Sequence, residues 1–414
     1  MRKISFIIAF TLGASQLAFA QSPSACGQIR SPQDILNCAI AHHPEVQQSQ
    51  MTVQRDVMLT KLAKQRPNLE LGGKVIARIE NGNSSLNSEV SLLHTLELGG
   101  KRSARISLAK AQYEQAVAGV LQSKEMTALH TVLALYRLSQ IRHEVAIASE
   151  SVGIFGRMLD NFQIRPKLSP EQQSSYSAFE LERTKHKLKK LSLLEEQTNL
   201  RYFLQLATGK PFKDLQGYLP GSKSSWPKLS LSKSELALLN NSDLQRAQAQ
   251  AELARAHLEI AKSQAWPDFK LGPALETQTQ GTQTNVMGGV GFILPIPVFN
   301  QNRGGVAYAS YDKKLSELNY YQTQLNAAND RLKHIQRYQN ALSGLNSYSE
   351  ARLSLKHEEV ESQFSLGLVP ASLIIETHHQ VHDITEAIHQ HELNAIDALW
   401  RVYILEGRFT REKL

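Results

Sequence analysis

The residues best suited to chemistry are histidines. His378, His379, His382, His389 and His391 share one short stretch with Glu376 and Glu386. His378 and His382 stand four apart, the spacing at which two imidazoles on one helix face can share a metal ion. His378, His379 and His382 are therefore the metal-ligand candidates. Solvated or interface histidines, or a pH-sensitive patch, would show the same spacing. The signatures of catalysis are missing. There is no Gly-x-Ser-x-Gly, no phosphate-cradling glycine loop and no His-Glu-x-x-His, since His357-Glu358-Glu359 and His391-Glu392 lack a second histidine. Neither an enzymatic reaction nor a cofactor is expected.

Cys26 and Cys38 are the only cysteines. In an oxidising compartment a disulfide between them would close a short loop, worth about 3 kcal/mol. Lipidation of Cys26 is the alternative, because Ser24-Ala25 precedes it, although Pro23 stands where a leucine is wanted.

Arg2 and Lys3, the apolar run Ile4 to Leu17 and the small-x-small triplet Ala18-Phe19-Ala20 read as a signal peptide over residues 1–20. Its removal takes two basic residues and lowers the net charge from +8 to +6. The 20% of charged residues are mixed in sign, with no dense Lys/Arg block among aromatics, so nucleic acid is not an expected partner. Nothing after the leader supplies about 20 consecutive apolar residues. An exported chain of this kind that enters a membrane must do so as a β-barrel.

The chain repeats itself. Pro67-Asn68-Leu69-Glu70-Leu71-Gly72 returns as Pro267-Asp268-Phe269-Lys270-Leu271-Gly272, and Leu96-Glu97-Leu98 as Ile296-Pro297-Val298, both displaced by 200 residues. Pro44-Glu45-Val46 matches Ser242-Asp243-Leu244, Phe162 matches Phe364, and Gly209 matches Gly407. Two copies of one unit are expected: residues 21–208, a Pro/Gly/Ser-rich linker over 209–233, and residues 234–414. Each reads as a helix, two strands, a very long helix and a return helix.

The strands, expected near 68–80, 87–98, 268–279 and 285–298, alternate with period two. Leu69, Leu71, Val75 and Ile79 oppose Glu70, Lys74, Arg78 and Glu80, and Val90, Leu92 and Leu96 oppose Glu89, Ser91 and Thr95. Phe269, Leu271 and Leu275 oppose Lys270 and Glu276, and Val286, Val290, Phe292, Leu294, Ile296 and Val298 lie on one face of the last strand. Turn-rich tips at Asn81-Gly82-Asn83-Ser84 and Gln280-Gly281-Thr282 make each pair a hairpin. Such strands are long enough to cross a bilayer at a tilt, with Leu71, Val75, Leu92, Leu271 and Phe292 facing lipid. A soluble half-buried hairpin alternates in the same way. Four strands cannot close a transmembrane barrel, which needs at least about eight, so several chains must contribute.

The remainder is helix. Leu318, Leu325 and Leu332 fall seven apart, continued by Ile335, Leu342 and Leu345; Leu181, Leu188 and Leu191 resemble them in the first half. Both are narrow seams expected of a coiled coil. Leu129, Val132, Leu133 and Tyr136 line another stripe. The proline-free run from Ser103 to Phe162 would reach about 90 Å, longer than a compact globule needs.

Leu96-Glu97-Leu98-Gly99-Gly100-Lys101-Arg102 and Leu294-Pro295-Ile296-Pro297-Val298-Phe299-Asn300-Gln301-Asn302-Arg303-Gly304 resemble the strand-to-helix junctions of the TolC family of outer-membrane efflux proteins, in its CzcC-like branch serving heavy-metal pumps of the RND type. His42-His43-Pro44-Glu45 resembles the family's Asn-Pro-Glu. The resemblance implies a mainly α fold with a β-hairpin membrane portion. It also implies a homotrimer whose strands form one 12-stranded barrel continued by a helical barrel into the periplasm. A periplasmic adaptor, an inner-membrane RND transporter and outer-membrane lipid would be its partners. The family's helix tips carry a glycine-centred turn that meets the adaptor. Leu366-Gly367-Leu368-Val369 fits it, whereas the first-half tip, Ile164-Arg165-Pro166-Lys167-Leu168-Ser169, has no glycine. Leu366, Gly367, Leu368 and Arg165 are the adaptor-contact candidates. Export of heavy-metal cations is the expected function. A duct for drugs or type I secretion, a periplasmic coiled-coil adaptor or scaffold, and a pore-forming or adhesive surface protein are the alternatives.

Overall fold

The computed structural model describes residues 26–80, 83–163, 167–223, 225–230, 239–346 and 350–414. The expected signal peptide lies outside these residues, as does Arg165. One order of elements occurs twice. Helices α1 (Pro32–His42) and α2 (Pro44–Ala63) precede strands β1 (Glu70–Glu80) and β2 (Asn83–Leu96), then α3 (Lys101–Gln163) and α4 (Pro170–Thr208). Helix α5 (Ser242–Ser263) precedes β3 (Phe269–Gln280) and β4 (Gln283–Ile293), then α6 (Arg303–Asn346), α7 (Glu350–Ser365) and α8 (Ala371–Leu405). At 63 residues α3 is about 95 Å long. Its counterpart in the second half is described in two segments, α6 and α7, rather than as one helix.

Local chemistry explains the boundaries. Pro44 disfavours helical backbone at His43, so the single entry helix expected from the sequence is split into α1 and α2. His43 then caps α2, its Nδ1 accepting from the Glu45 N–H at 3.2 Å. In the second half Asn241 holds the matching position, its Oδ1 accepting from the Leu244 N–H at 3.1 Å. Imidazole and carboxamide thus each satisfy one orphan donor of the first turn, the amide of the second residue in α2 and of the third in α5. Ser169 and Gln172 form a capping box on α4. The return helices α4 and α8 both end on a left-handed glycine, Gly209 at φ 66° and Gly407 at φ 65°.

The four strands form one antiparallel sheet in the order β1-β2-β3-β4. Leu71 pairs with Leu92, His94 with Leu271, and Leu271 with Phe292. The β2–β3 ladder skips Leu92 and Leu93, opposite Pro273 and Gly272, because Pro273 has no N–H to give. Two boundaries differ from expectation. The first hairpin is tighter, with β2 starting at Asn83, and β4 stops at Ile293 rather than near 298. Pro295 and Pro297 deny the following segment its ladder donors.

The core runs along the helices. Leu36, Leu129, Val132, Tyr136, Tyr338, Trp400, Tyr403 and Phe409 pack where α1, α3, α6 and α8 meet. Ile35, Leu135, Leu204, Phe212 and Leu215 join α1, α3 and α4 to the turns after α4. The expected linker is thus partly packed rather than free: Phe212 and Leu215 are buried, and Trp226 lies 6.0 Å from Tyr338 between ring centres. Further along, Phe155, Phe179 and Ile374 cluster with Phe162 and Phe364, which brings the hairpin ends of both halves together.

The leucine seams are only partly covered within one chain. Leu181 is 70% exposed and Leu318 65%, and Leu188, Leu191 and Leu325 are exposed too. Only the distal part of the α6 seam packs within the chain, through Ile335, Leu342 and Leu345. The rest forms uncovered apolar stripes, because a single chain leaves one flank of its helical layer without a neighbour.

Glu125 is a buried carboxylate on α3 whose oxygens accept from the Ser242 N–H at 3.0 Å and the Ser242 hydroxyl at 2.5 Å. Burial pushes its pKa up from 4.5 to about 7, against the pull of the Ser242 hydrogen bonds and with a further push from Asp243. Between those values the folded chain holds a proton that the unfolded chain has lost. The contribution is full below about pH 4.5 and is lost as pH rises through about 7. Glu125→Gln should flatten the decline of thermal stability over this window, by up to about 3 kcal/mol. Melting of detergent-solubilised protein at stepped pH checks it; an unchanged slope refutes it.

Candidate functional site

The register sorts the sheet into two unlike faces. Leu71, Val75, Ile79, Leu86, Val90, Leu92, Leu271, Leu275, Val286, Val290 and Phe292 share one face by alternation and cross-strand pairing. All are exposed, Val75 by 69% and Phe292 by 70%. Two pairs of hydroxyls on this face satisfy each other: Ser88 and Thr277 lie 2.5 Å apart, and Thr279 and Thr284 3.2 Å. The opposite face carries Lys74, Glu89 and Glu276, and Glu70 accepts from Lys270 at 2.6 Å and from Thr95 at 3.2 Å. An apolar face with internally satisfied hydroxyls fits hydrocarbon, and a charged face fits water. Leu71, Val75, Leu92, Leu271 and Phe292, predicted as lipid-facing, all lie on the apolar side.

The junction motifs fasten the sheet to the helices. After β2, the Arg102 guanidinium donates to the Lys64 carbonyl at 2.8 Å, and Arg105 donates to the Gln65 carbonyl at 3.2 Å while pairing with Glu97. Lys101 reaches across to Asp268 at 2.7 Å. After β4, the Asn302 carboxamide donates to the Ala261 carbonyl at 2.7 Å. Each junction therefore satisfies carbonyls at the C-terminal end of the entry helix of its own half, α2 or α5.

At the end of α7, the Gly367 N–H donates to the Phe364 carbonyl at 2.9 Å and the Leu368 N–H to the Gln363 carbonyl at 3.0 Å. This is a Schellman cap, with Gly367 at φ 73°. Leu366 and Leu368 flank it, both exposed. The position of Gly367 is open: an added Cβ would touch nothing within 4 Å, so its backbone conformation alone demands glycine.

The histidines are not simply solvated. His378 is 1% exposed and His389 is buried, whereas His391 is exposed. His378 and His382 turn inward on Ser151, His378 Nδ1 lying 3.1 Å and His382 Nε2 3.3 Å from its hydroxyl. His379 pairs instead with Glu182. Burial lowers the pKa of His378 to about 3, helped by His357 and other neighbouring histidines. Burial likewise lowers His186 to about 4, with His382 adding to it, and His382 to about 4, with Lys189 adding to it. All three are neutral near pH 7. His186 on α4 and His357 on α7 belong to this cluster, and the sequence search missed both because they lie far away along the chain.

A second buried polar group also escaped the sequence. Arg137 bridges Glu144 at 2.6 Å and Glu196 at 2.7 Å, and His389 Nδ1 lies 2.6 Å from Glu144. Burial works against the Glu144 charge, yet the hydrogen bonds from His389 and Arg137 outweigh it and hold its pKa below the usual value. Glu392 accepts from Gln140 at 2.7 Å and from the Lys223 N–H at 2.8 Å, which pins the strap after α4 to α8. Mixed charge on a long helix gives no hint that these members are buried.

Among the described residues no helix is long and apolar enough to cross a membrane. Very long helices rooted in an amphipathic four-stranded sheet with open edges define the architecture. Residues 234–357 match the outer membrane efflux protein family. Over 238 residues the chain is 26% identical to the cobalt-zinc-cadmium resistance protein CzcC of Cupriavidus metallidurans. That match covers 54% of this chain and 53% of CzcC, so the chain spans about half the length of the curated relative it matches. The fold is similar to that of the Campylobacter jejuni CmeC outer membrane channel, with a TM-score of 0.71 and 12% identity over 99% of this chain and 93% of that one. It is also similar to the outer-membrane channel OprN, with a TM-score of 0.72 and 14% identity over 94% and 95% of the two chains. Residues 234–357 thus carry an outer membrane efflux protein domain, and the chain as a whole has the fold of the outer-membrane channels it resembles.

The two faces of the sheet should respond differently to charge. Val75→Arg or Leu92→Arg is expected to cost about 2–4 kcal/mol near a bilayer midplane and to reduce the assembled protein recovered from membranes. Lys74→Gln, on the charged face, should leave that yield near wild type. Equal losses at the two faces would mean that the assignment is wrong.

Proposed function

We propose that the chain is one protomer of a trimeric outer-membrane duct. Its four strands supply a third of a shared barrel, and its helices extend the conduit through the periplasm. One observation carries this reading: an 11-residue β1 and an 11-residue β4 bound a sheet whose apolar face is uncovered. In lipid those edges must find partners, and copies of the chain supply them. The uncovered stripes, Leu181-Leu188-Leu191 on α4 and Tyr308-Tyr311-Leu315-Leu318-Leu325 on α6, lie on the helices, where neighbouring protomers would cover them. Export through the leader at residues 1–20 would deliver the chain to this location.

The cargo we assign is heavy-metal cations, passed on by an inner-membrane RND transporter through a periplasmic adaptor. The likeness to a protein named for cobalt, zinc and cadmium resistance supports this. The proposed adaptor surface is the tip around Gly367, where exposed Leu366 and Leu368 flank the turn, with Arg165 on the other tip as a second contact.

Chemical crosslinking of protein extracted from outer membranes should stop at three chains; a monomer that stays soluble without detergent would overturn the assignment. The tip is tested in the same cells. Gly367→Arg should leave the trimer and its membrane yield intact while abolishing growth in zinc, cobalt or cadmium salts, and Arg165→Ala should do less. Loss of the trimer would make the turn structural, and survival of both trimer and resistance would place docking elsewhere.

A further inference from the structure

We infer that His357, Glu361 and His378 form a binding site for a divalent transition-metal ion of the zinc class, clamping α7 to α8 just above the Gly367 turn. His357 and Glu361 stand four apart on one face of α7, and His378 comes from α8 across the turn. Glu361 Oε1 lies 3.2 Å from His357 Nε2 and 3.4 Å from His378 Nε2. One ligand atom from each residue falls within 4.8 Å of the others. A tetrahedral ion with bonds of about 2.0–2.1 Å has edges of about 3.3 Å, which the two Glu361 separations match.

The donor atoms are also free. His357 Nε2, His378 Nε2 and Glu361 Oε1 are all buried without a hydrogen-bond partner. His378 is 1% exposed, and its Nδ1 is held by the Ser151 hydroxyl at 3.1 Å. A hydroxyl that accepts the Nδ1 proton leaves the Nε2 lone pair directed at Glu361, the usual device for orienting a ligating imidazole. The Glu361 side chain is 29% exposed although its Oε1 is buried, so the site lies close to solvent. Two imidazoles and one carboxylate suit zinc, cobalt or nickel rather than calcium or magnesium, which need more oxygen ligands.

The neighbouring trio Glu182, His186 and His379 is less suitable. Glu182 is already engaged by His379, and the Lys185 ammonium stands 3.1 Å from His379 Nε2, so a cation occupies that corner. Around the proposed site, Arg157 opposes an incoming ion, while Glu150 and Glu358 favour it. The ligands lie within the helical layer, so the bound ion is a fixed part of the wall, distinct from any cargo, and the inference stands whether or not metals are exported.

Untagged mature protein, freed of metal by chelation and held in detergent, is titrated with zinc chloride by calorimetry, with cobalt as a spectroscopic substitute. One zinc per chain, a raised melting temperature and the visible absorption of low-coordinate cobalt are expected. Glu361→Gln and His357→Gln should each weaken binding more than tenfold. Ser151→Ala should weaken it about 10- to 100-fold, and His257→Gln on α5 should change nothing. Glu361→Gln is partly exposed, so a wild-type melting temperature without metal separates lost ligation from misfolding. Absence of stoichiometric binding overturns the proposal. So does binding that survives Glu361→Gln but is lost in His379→Gln, which would put the ion in the other cluster.

Discussion

A peptide group in hydrocarbon has no water to turn to, and each one left unpaired costs several kcal/mol. The sheet presents two long edges with this problem, at β1 and β4. On the proposed reading, the rest of the architecture answers to it. The chain cannot enter lipid alone, so its helices carry uncovered apolar stripes that only another copy would cover. The junctions at Arg102, Arg105 and Asn302 tie the sheet to the helical layer by satisfying carbonyls at the ends of α2 and α5. On that reading, strand pairing between copies and helix packing between copies would be set by one geometry.

Duplication and strand alternation were readable in the sequence because both are periodic. Period-two alternation fixed which face of each strand is apolar, and the register then set those faces side by side. Boundaries depended on single atoms. The missing N–H groups of Pro295 and Pro297 ended β4 early, and Pro44 split the entry helix at His43. The leucine seams show a different limit. A heptad pattern says that a stripe will be covered, and cannot say whether the cover comes from the same chain. Leu181 and Leu318 follow the pattern as faithfully as Ile335, yet only Ile335 is packed within its own chain.

Tertiary polar clusters were the least legible. Members of the histidine layer come from four helices, α3, α4, α7 and α8, so no window along the chain contains them together. A sequence search finds His378, His379 and His382 as a local group and cannot say which partners each one meets. In the folded chain His378 and His382 turn to Ser151, and His379 turns away to Glu182. The same holds for Glu144 and Glu392, which read as ordinary surface charge and instead fasten α3 and the strap after α4 to α8.

The two halves both end their return helices on a left-handed glycine, Gly209 and Gly407, yet their far ends differ in sequence: one turn is built on Gly367, and the other segment, 164–169, has no glycine. A ring of three such chains would display six seats of two alternating kinds. Its true symmetry is threefold, with only an approximate sixfold. A companion ring whose subunits each demand the same seat can bind it only three at a time. A companion of six must itself use two kinds of grip. In such a ring, stoichiometry at the inner end would be constrained by the sequence difference at one short segment.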